Sequence, residues 1–289
     1  MLIDYVGIIA NSSKPKALEL ASKVVEQLKA LGVTVRIDAI AAKKLSMDDI
    51  SCQEACLDEM QLMITLGGDG TILTATHIAA PRRIPILGVH LGRFGFISEA
   101  SPEELITNLP NIIMGRYEIE ERMMIRGEVI RDGKTIFEAT GLNDIVVNKG
   151  ARSRMLHLAT SFGAEKLTNY LADGVIVATP TGSTAYALSA GGPLVAPTVQ
   201  AFIVAPICAH TLNARPIVIP ADEIVNFSVE SDGGEVLFVA DSYRVTSLNT
   251  GDKVRAQRAN YNVQLVRLKK GGFYRKIRQR LLWGERVNG

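Results

Sequence analysis

The first hundred residues alternate short apolar runs with an amphipathic stripe, and this alternation limits the fold more than any other feature. Val6 to Ala10 (VGIIA) is a short apolar run followed by NSSKP, the pattern of a buried strand leading into a loop. Ala17, Leu18, Leu20, Ala21, Val24, Val25, Leu28 and Leu31 then recur at helical spacing. Gly32 ends that helix, and Ser12 and Ser13 stand ready to cap its start. Val33 to Ile37 alternates like a strand, Leu62 to Leu66 reads as a third strand and Ile84 to Val89 as a fourth. Strands that alternate with helices form parallel βαβ units, so residues 1–115 are expected to be a doubly wound α/β domain.

The pattern changes beyond that point. Met124 to Arg131, Asp132-Gly133 and Lys134 to Ala139 read as a hairpin with a two-residue turn. Leu142 to Val147, Leu156 to Phe162 and Val175 to Ala178 continue as strands. Ile224 to Glu230 and Glu235 to Ala240 read as a second hairpin, turning at Ser231 to Gly234. Residues 116–265 are therefore expected to be a β-rich, sandwich-like domain, with the active site in a cleft between the two domains. Residues 266–289 are expected to pack back on the α/β domain. The stretch from Lys269 to Arg280 holds six basic residues and no acid, and Phe273, Ile277 and Leu281 share one helix face.

Composition narrows the partners. With 289 residues, 47% of them hydrophobic, the chain is long enough for two modest domains with real cores. Thirty-two basic residues against 30 acidic ones leave a net charge of +2, which argues against a general nucleic-acid binder. No segment is long and apolar enough to span a membrane, and no secretory signal is visible, so a cytoplasmic protein is expected. Cys52, Cys56 and Cys208 show no disulfide or zinc pattern, and three reduced, partly buried thiols are expected.

Three stretches carry chemistry. TLGGDGTILTA (65–75) follows an apolar strand and leads into a helix expected to begin at Thr71. Gly67, Gly68 and Gly70 let a ligand approach the backbone, and free N–H groups at a helix start favour phosphate. The turn is neither a P-loop nor the dinucleotide fingerprint, since no GxxxxGK[ST] occurs and position 73 is Leu. It also holds one carboxylate, Asp69, whose simplest alternative role is a helix N-cap. LADGVIVATPTGSTAYALSAGGP (171–193) runs from a strand through a hydroxyl-rich loop to a helix start at Ala185. In GLNDIVVNKG (141–150), Asn143 and Asp144 pair an amide with a carboxylate, which suits a ribose diol or an adenine edge.

These residues resemble the NAD kinase family, bacterial type. The resemblance covers nearly the whole chain, including VGIIANSSKPKALELA, LGGDGTIL, GVHLGRFGFISE, the Asn-Asp pair, DGVIVATPTGSTAYALSAGGP and APICAHTLNARPIVIP. GGDG alone is shared with lipid kinases and 6-phosphofructokinases, whereas the run from Asp173 to Pro193 is specific to NAD kinases. The resemblance implies an ATP- or polyphosphate-dependent phosphotransferase that converts NAD to NADP, with Mg²⁺ or Mn²⁺ held mainly by the donor phosphates. It implies that Asp69 accepts the proton of the ribose hydroxyl, orients that hydroxyl or helps to hold Mg²⁺, while Gly67, Gly68, Gly70 and Thr71 form the phosphate turn. It places Phe96, Asn143, Asp144, Asp173, Thr181, Thr184, Ala185, Tyr186 and Ser189 around NAD. It gives His210 and Asp241 as contacts to a neighbouring subunit of a homodimer or homotetramer.

Two departures stand out. Leu171 occupies a position where many relatives carry Arg, and Tyr243-Arg244 stands where Gln is common. Arg244, Arg152 and Arg154 are the candidates to supply the missing charge. Three other readings remain open: a GGDG kinase of another alcohol, a pyridine-nucleotide sensor without activity, and a phosphatase acting on NADP. The Asp173 to Pro193 run argues against the first. Retention of Asp69 and Asn143-Asp144 argues against the second, and no added metal-ligand cluster favours the third.

Overall fold

In a computed structural model of the chain, the structure describes residues 2–52, 54–92, 94–150, 155–211, 213–230, 234–269 and 272–281. The chain divides into two compact units, Met1–Glu121 with Val263–Gly289, and Arg122–Asn262.

The first unit runs β1 (Tyr5–Ala10), α1 (Pro15–Ala30), β2 (Thr34–Asp38), α2 (Ala39–Leu45), β3 (Ser51–Cys52), β4 (Leu62–Gly67), α3 (Asp69–Ala79), β5 (Ile86–His90) and α4 (Pro102–Ile113). Its strands are parallel, in the order β5-β4-β1-β2-β3. The chain moves from β1 to β2 on one side, whereas β4 lies on the other. The order thus reverses between β1 and β4. Helices cover both faces, so β4 is buried throughout.

Two local expectations are corrected here. Helix α1 is capped by Lys14 with no side-chain cap, because Pro15 takes the first helical position with its preset φ. Ser13 turns its N–H and hydroxyl to the Asn11 side chain instead. Cys52 and Cys56 are joined in a disulfide rather than reduced, because the 3₁₀ turn Glu54–Glu59 brings their Cα atoms to 6.0 Å. Cys208 is free and exposed.

The second unit begins within β6 (Glu118–Arg131), which forms a hairpin with β7 (Lys134–Gly141). Asp132 and Gly133 both have positive φ, 49° and 77°, as a two-residue primed turn requires. The chain continues through β8 (Asp144–Lys149), β9 (Leu156–Phe162), β10 (Glu165–Ala172), β11 (Gly174–Ala178), the one-turn α5 (Tyr186–Ser189), β12 (Ala201–Ile207) and β13 (Ile217–Pro220). It ends with β14 (Val225–Glu230), β15 (Val236–Ala240), β16 (Arg244–Leu248) and β17 (Lys253–Arg267). β17 carries the chain back to the first unit, where Leu265 pairs in parallel with Ile86 and α6 (Phe273–Leu281) follows.

Six strands pair antiparallel in the order β13-β12-β11-β8-β15-β16, and β10-β9-β14-β17 pair antiparallel in another set. The expected second hairpin is therefore not one. β14 pairs with β9 and β17, whereas β15 pairs with β8 and β16. Each strand finds a better apolar partner elsewhere, with Phe227 and Phe238 fully buried.

Ile64 is fully buried at the middle of β4. Ile64→Ala is expected to destabilise the chain by about 2–5 kcal/mol, through lost burial and the cavity left behind. Chemical denaturation checks this, as a lower midpoint at unchanged slope.

Candidate functional site

The reversal of strand order between β1 and β4 opens a crevice at the carboxyl ends of the strands, the usual ligand position in such sheets. A cavity of about 640 Å³ occupies this place. Ile9, Ala10 and Asn11 line it from the end of β1, and Asp38 to Ile40 from the end of β2. Gly68, Gly70 and Thr71 line it from the start of α3, and Lys14 stands at its edge. Side chains added at Gly68 or Gly70 would meet nothing within 4 Å, so the turn presents bare backbone to the space. With the positive end of an eleven-residue helix, a lysine and bare backbone at Gly68 and Gly70, the cavity suits an anionic group, while the Asp38 carboxylate in its lining accepts the Ala10 and Ala41 N–H groups.

Helix α3 starts at Asp69, two residues before the expected Thr71, and its N-cap is Gly68. Asp69 is thus a first-turn residue rather than the cap. Its carboxylate faces the loop 94–98, where Oδ2 accepts the Phe96 N–H at 2.8 Å. Oδ1 has no hydrogen-bond partner among the described residues. Gly95 makes this approach possible, because a Cβ there would lie 1.9 Å from Oδ1. The Gly95 N–H donates to Ser98 Oγ at 2.9 Å, closing the loop on itself. Phe96 is half-buried, with Arg280 over its ring at 5.5 Å.

In the second unit, strand register gathers three separated stretches. Asp144 at the start of β8 lies opposite Ala178 at the end of β11, which leads into the hydroxyl-rich loop. Ile145 lies opposite Ala240 of β15, which leads into Asp241. The buried Asp241 carboxylate accepts the N–H groups of Leu142, Asn143 and Asp144 at 2.6–3.2 Å. Asp241 thus holds backbone N–H groups of its own unit, and Ser242 to Arg244 after it are exposed. Burial first, and then the Asp241 charge, push the Asp144 carboxyl up to about 7.

Several hydroxyls of the 179–189 loop are structural. Thr179 donates to the Leu142 carbonyl, Ser183 to the Pro180 carbonyl, and Thr184 to the Thr181 carbonyl. Thr181 is buried and accepts a hydrogen bond from Arg122 at 3.1 Å. Ala185 is half-buried and caps α5, so the helix begins one residue later than expected. Tyr186 and Ser189 are exposed.

Asp173 lies just before β11, at the opposite end of that strand from Asp144, and pairs with Lys149 at 2.7 Å. The Tyr186 phenol is raised by burial and then by the charges of Cys208, Asp173 and Asp144, so it lies within electrostatic reach of both acids. His210 is exposed, not buried, and its backbone N–H donates to the Leu171 carbonyl. Arg244 is exposed and stands over the Phe137 ring at 5.7 Å. Arg152 and Arg154 lie outside the described residues.

Sequence reasoning missed Gly95, Arg122, Lys149 and Lys276. Only Gly95, inside the quoted GRFGF motif, had a signal that more attention to glycines would have found. Among the described residues, no group of three or more His, Cys, Asp or Glu side chains gathers to hold a metal.

Residues 6–117 match the family model of the ATP-NAD kinase N-terminal domain, and residues 142–268 that of the ATP-NAD kinase C-terminal domain. The chain is similar to the NAD kinase of Symbiobacterium thermophilum, 42% identical over 95% of this chain and 98% of that one. It is also 42% identical to the NAD kinase of Moorella thermoacetica, over 96% of this chain and 89% of that one. Among solved structures, it resembles yeast NADH kinase complexed with NADH, at 26% identity and a TM-score of 0.92, covering 100% of this chain and 91% of that one. It shares its fold with an NAD kinase from Archaeoglobus fulgidus in complex with ATP, at 24% identity and a TM-score of 0.75, covering 96% and 98% of the two chains.

The Asp144 environment has a consequence for stability. The folded chain keeps a proton on Asp144 that the unfolded chain releases near its ordinary carboxyl range, so the contribution of this group to stability is fully present below that range and is lost as pH rises through about 7. Denaturation midpoints across pH 5 to 8, compared with Asp144→Asn, check this, and the variant should lack that part of the slope.

Proposed function

The chain belongs to the NAD kinase family, and we propose that it transfers the terminal phosphoryl group of ATP, or of polyphosphate, to the adenosine 2′-hydroxyl of NAD to give NADP. The observation that carries this reading is the Asp69 carboxylate, held by the Phe96 N–H and adjoining a bare glycine turn at the sheet's crevice.

A ribose hydroxyl is a weak nucleophile at neutral pH, and a positioned carboxylate that takes its proton raises the rate. As the hydroxyl oxygen bonds to phosphorus, the bond from phosphorus to the donor's bridging oxygen breaks, and the proton passes to Asp69. Phosphoryl transfer runs largely through a loose transition state, so orienting the hydroxyl is the larger part of the task and the proton moves late. Gly67, Gly68, Gly70 and Thr71, with the α3 N-terminus, would hold donor phosphate.

Asn143 and Asp144 would hold the adenosine side of NAD. With its carboxyl near 7, Asp144 exchanges between accepting from and donating to a ribose hydroxyl. Asp173 and Tyr186 would meet the nicotinamide half, while Thr181, Thr184, Ala185 and Ser189 shape the loop around it. Phe96 would line the NAD pocket. Mg²⁺ or Mn²⁺, when bound, supplies charge that offsets the transferring phosphoryl. The metal would be held mainly by the donor phosphates, with Asp38 lining the cavity and Asp69 adjoining the glycine turn as nearby carboxylates. The protein would work in the cytoplasm as a homodimer or homotetramer. His210 and Asp241, with the exposed Ser242 to Arg244 that follow it, are the candidate subunit contacts.

Asp69→Asn tests the reading. NADP formation with Mg²⁺ and ATP is expected to fall by about 10²–10⁴-fold in kcat while NAD binding is largely kept. Wild-type turnover in that variant would remove Asp69 from the chemistry. Gly95→Ala should mimic the loss while leaving the carboxylate in the sequence, because its methyl displaces Oδ1.

A further inference from the structure

Lysine is rarely fully buried unless its ammonium is satisfied, yet Lys276 on α6 is only 4% exposed. Its neighbours Tyr274, Arg275 and Arg278 face solvent. Lys276 Nζ donates to the Phe96 carbonyl at 3.1 Å and to the Ser98 carbonyl at 2.6 Å, and lies 5.1 Å from the centre of the Phe94 ring. Both carbonyls belong to the loop whose Phe96 N–H holds Asp69. The two ends of Phe96 are therefore gripped in opposite senses. Its N–H donates to Asp69, and its carbonyl accepts from Lys276.

The rest of the loop is held from the same part of the chain. Arg267 donates to the Ile97 carbonyl at 3.3 Å and pairs with Glu99 at 3.1 Å, and the Leu268 N–H donates to Glu99 at 2.9 Å. A connecting loop left to itself would be mobile, and a mobile loop cannot aim a carboxylate.

From this geometry we infer that Lys276 is a positioning residue for the phosphoryl transfer, fixing through the Phe96 and Ser98 carbonyls the amide that aims Asp69. The inference rests on the reading of Asp69 as the group that takes or orients the hydroxyl. A lysine that merely anchored α6 would lower the melting temperature and leave the rate per folded molecule unchanged.

The test uses the full chain carrying Lys276→Met, Lys276→Arg, Asp69→Asn, and Lys276→Met with Asp69→Asn, assayed for NADP formation. Lys276→Met is expected to lower kcat by about tenfold or more with the NAD KM within about twofold, since small misplacements are costly in rate. Lys276→Arg, which keeps a cation able to reach two carbonyls, should recover most of the loss. In the Asp69→Asn background, Lys276→Met should change the residual rate by less than about twofold, because residues acting as a unit are not additive.

A Lys276→Met kcat equal to wild type, or the same fold loss in both backgrounds, would overturn the assignment. Should Lys276→Met fail to fold, Lys276→Gln carries the same comparison with a shorter donor. Full turnover in Asp69→Asn overturns the reading of Asp69 itself. A silent Asp69→Asn beside a fully active Lys276→Met overturns the lysine's role alone.

Discussion

The hydrogen bond from the Phe96 amide to Asp69 is the contact on which the site in the first unit depends. An acid in a phosphate-type turn is favoured by the helix dipole but repelled by the anion the turn would receive. The chain resolves the conflict by direction. Gly68 and Gly70 face the crevice, and the carboxylate is drawn to the loop 94–98. That requires a glycine at position 95, a hydroxyl at Ser98 to close the loop, and a grip on the loop from behind. The last comes from residues more than 160 positions later in sequence, Arg267 and Lys276. The parallel sheet supplies the platform, since only the reversal between β1 and β4 leaves the strand ends uncovered.

The second unit places its polar residues by register rather than by a loop grip. Pairing of β8 with β11 and β15 brings Asn143-Asp144, the loop after Ala178 and Asp241 to one strand end. Asp241 spends its carboxylate on three backbone N–H groups, which fixes the turn that presents Asn143 and Asp144. Its charge, after burial, opposes the ionisation of Asp144. Asp173 pairs with Lys149 at the far end of β11, and the five residues between the two ends span roughly 16 Å of extended chain.

Local patterns were legible and long-range ones were not. The β6–β7 hairpin was readable because Asp132-Gly133 dictates one turn geometry. The expected hairpin of Ile224 to Glu230 with Glu235 to Ala240 does not form because alternation reports that a strand exists, not which sheet receives it. The glycines and Asp69 were visible as a turn, but the onset of α3 at Asp69 depended on Gly68 acting as the cap. The disulfide was missed because helical spacing of Cys52 and Cys56 does not announce a 3₁₀ turn. Lys276 is one of six basic residues between Lys269 and Arg280, and no local pattern sets it apart from the others. Its burial follows from packing against a loop that no local pattern connects to it.

The most direct measurement is the amide proton of Phe96, observed by NMR in protein labelled with ¹⁵N-phenylalanine. The account predicts a protected amide that exchanges slowly with solvent and shifts when Asp69 is replaced by Ala, while the amides of buried phenylalanines such as Phe202 stay in place. A Phe96 amide that exchanges as fast as an open loop, and ignores the loss of the Asp69 carboxylate, would contradict it.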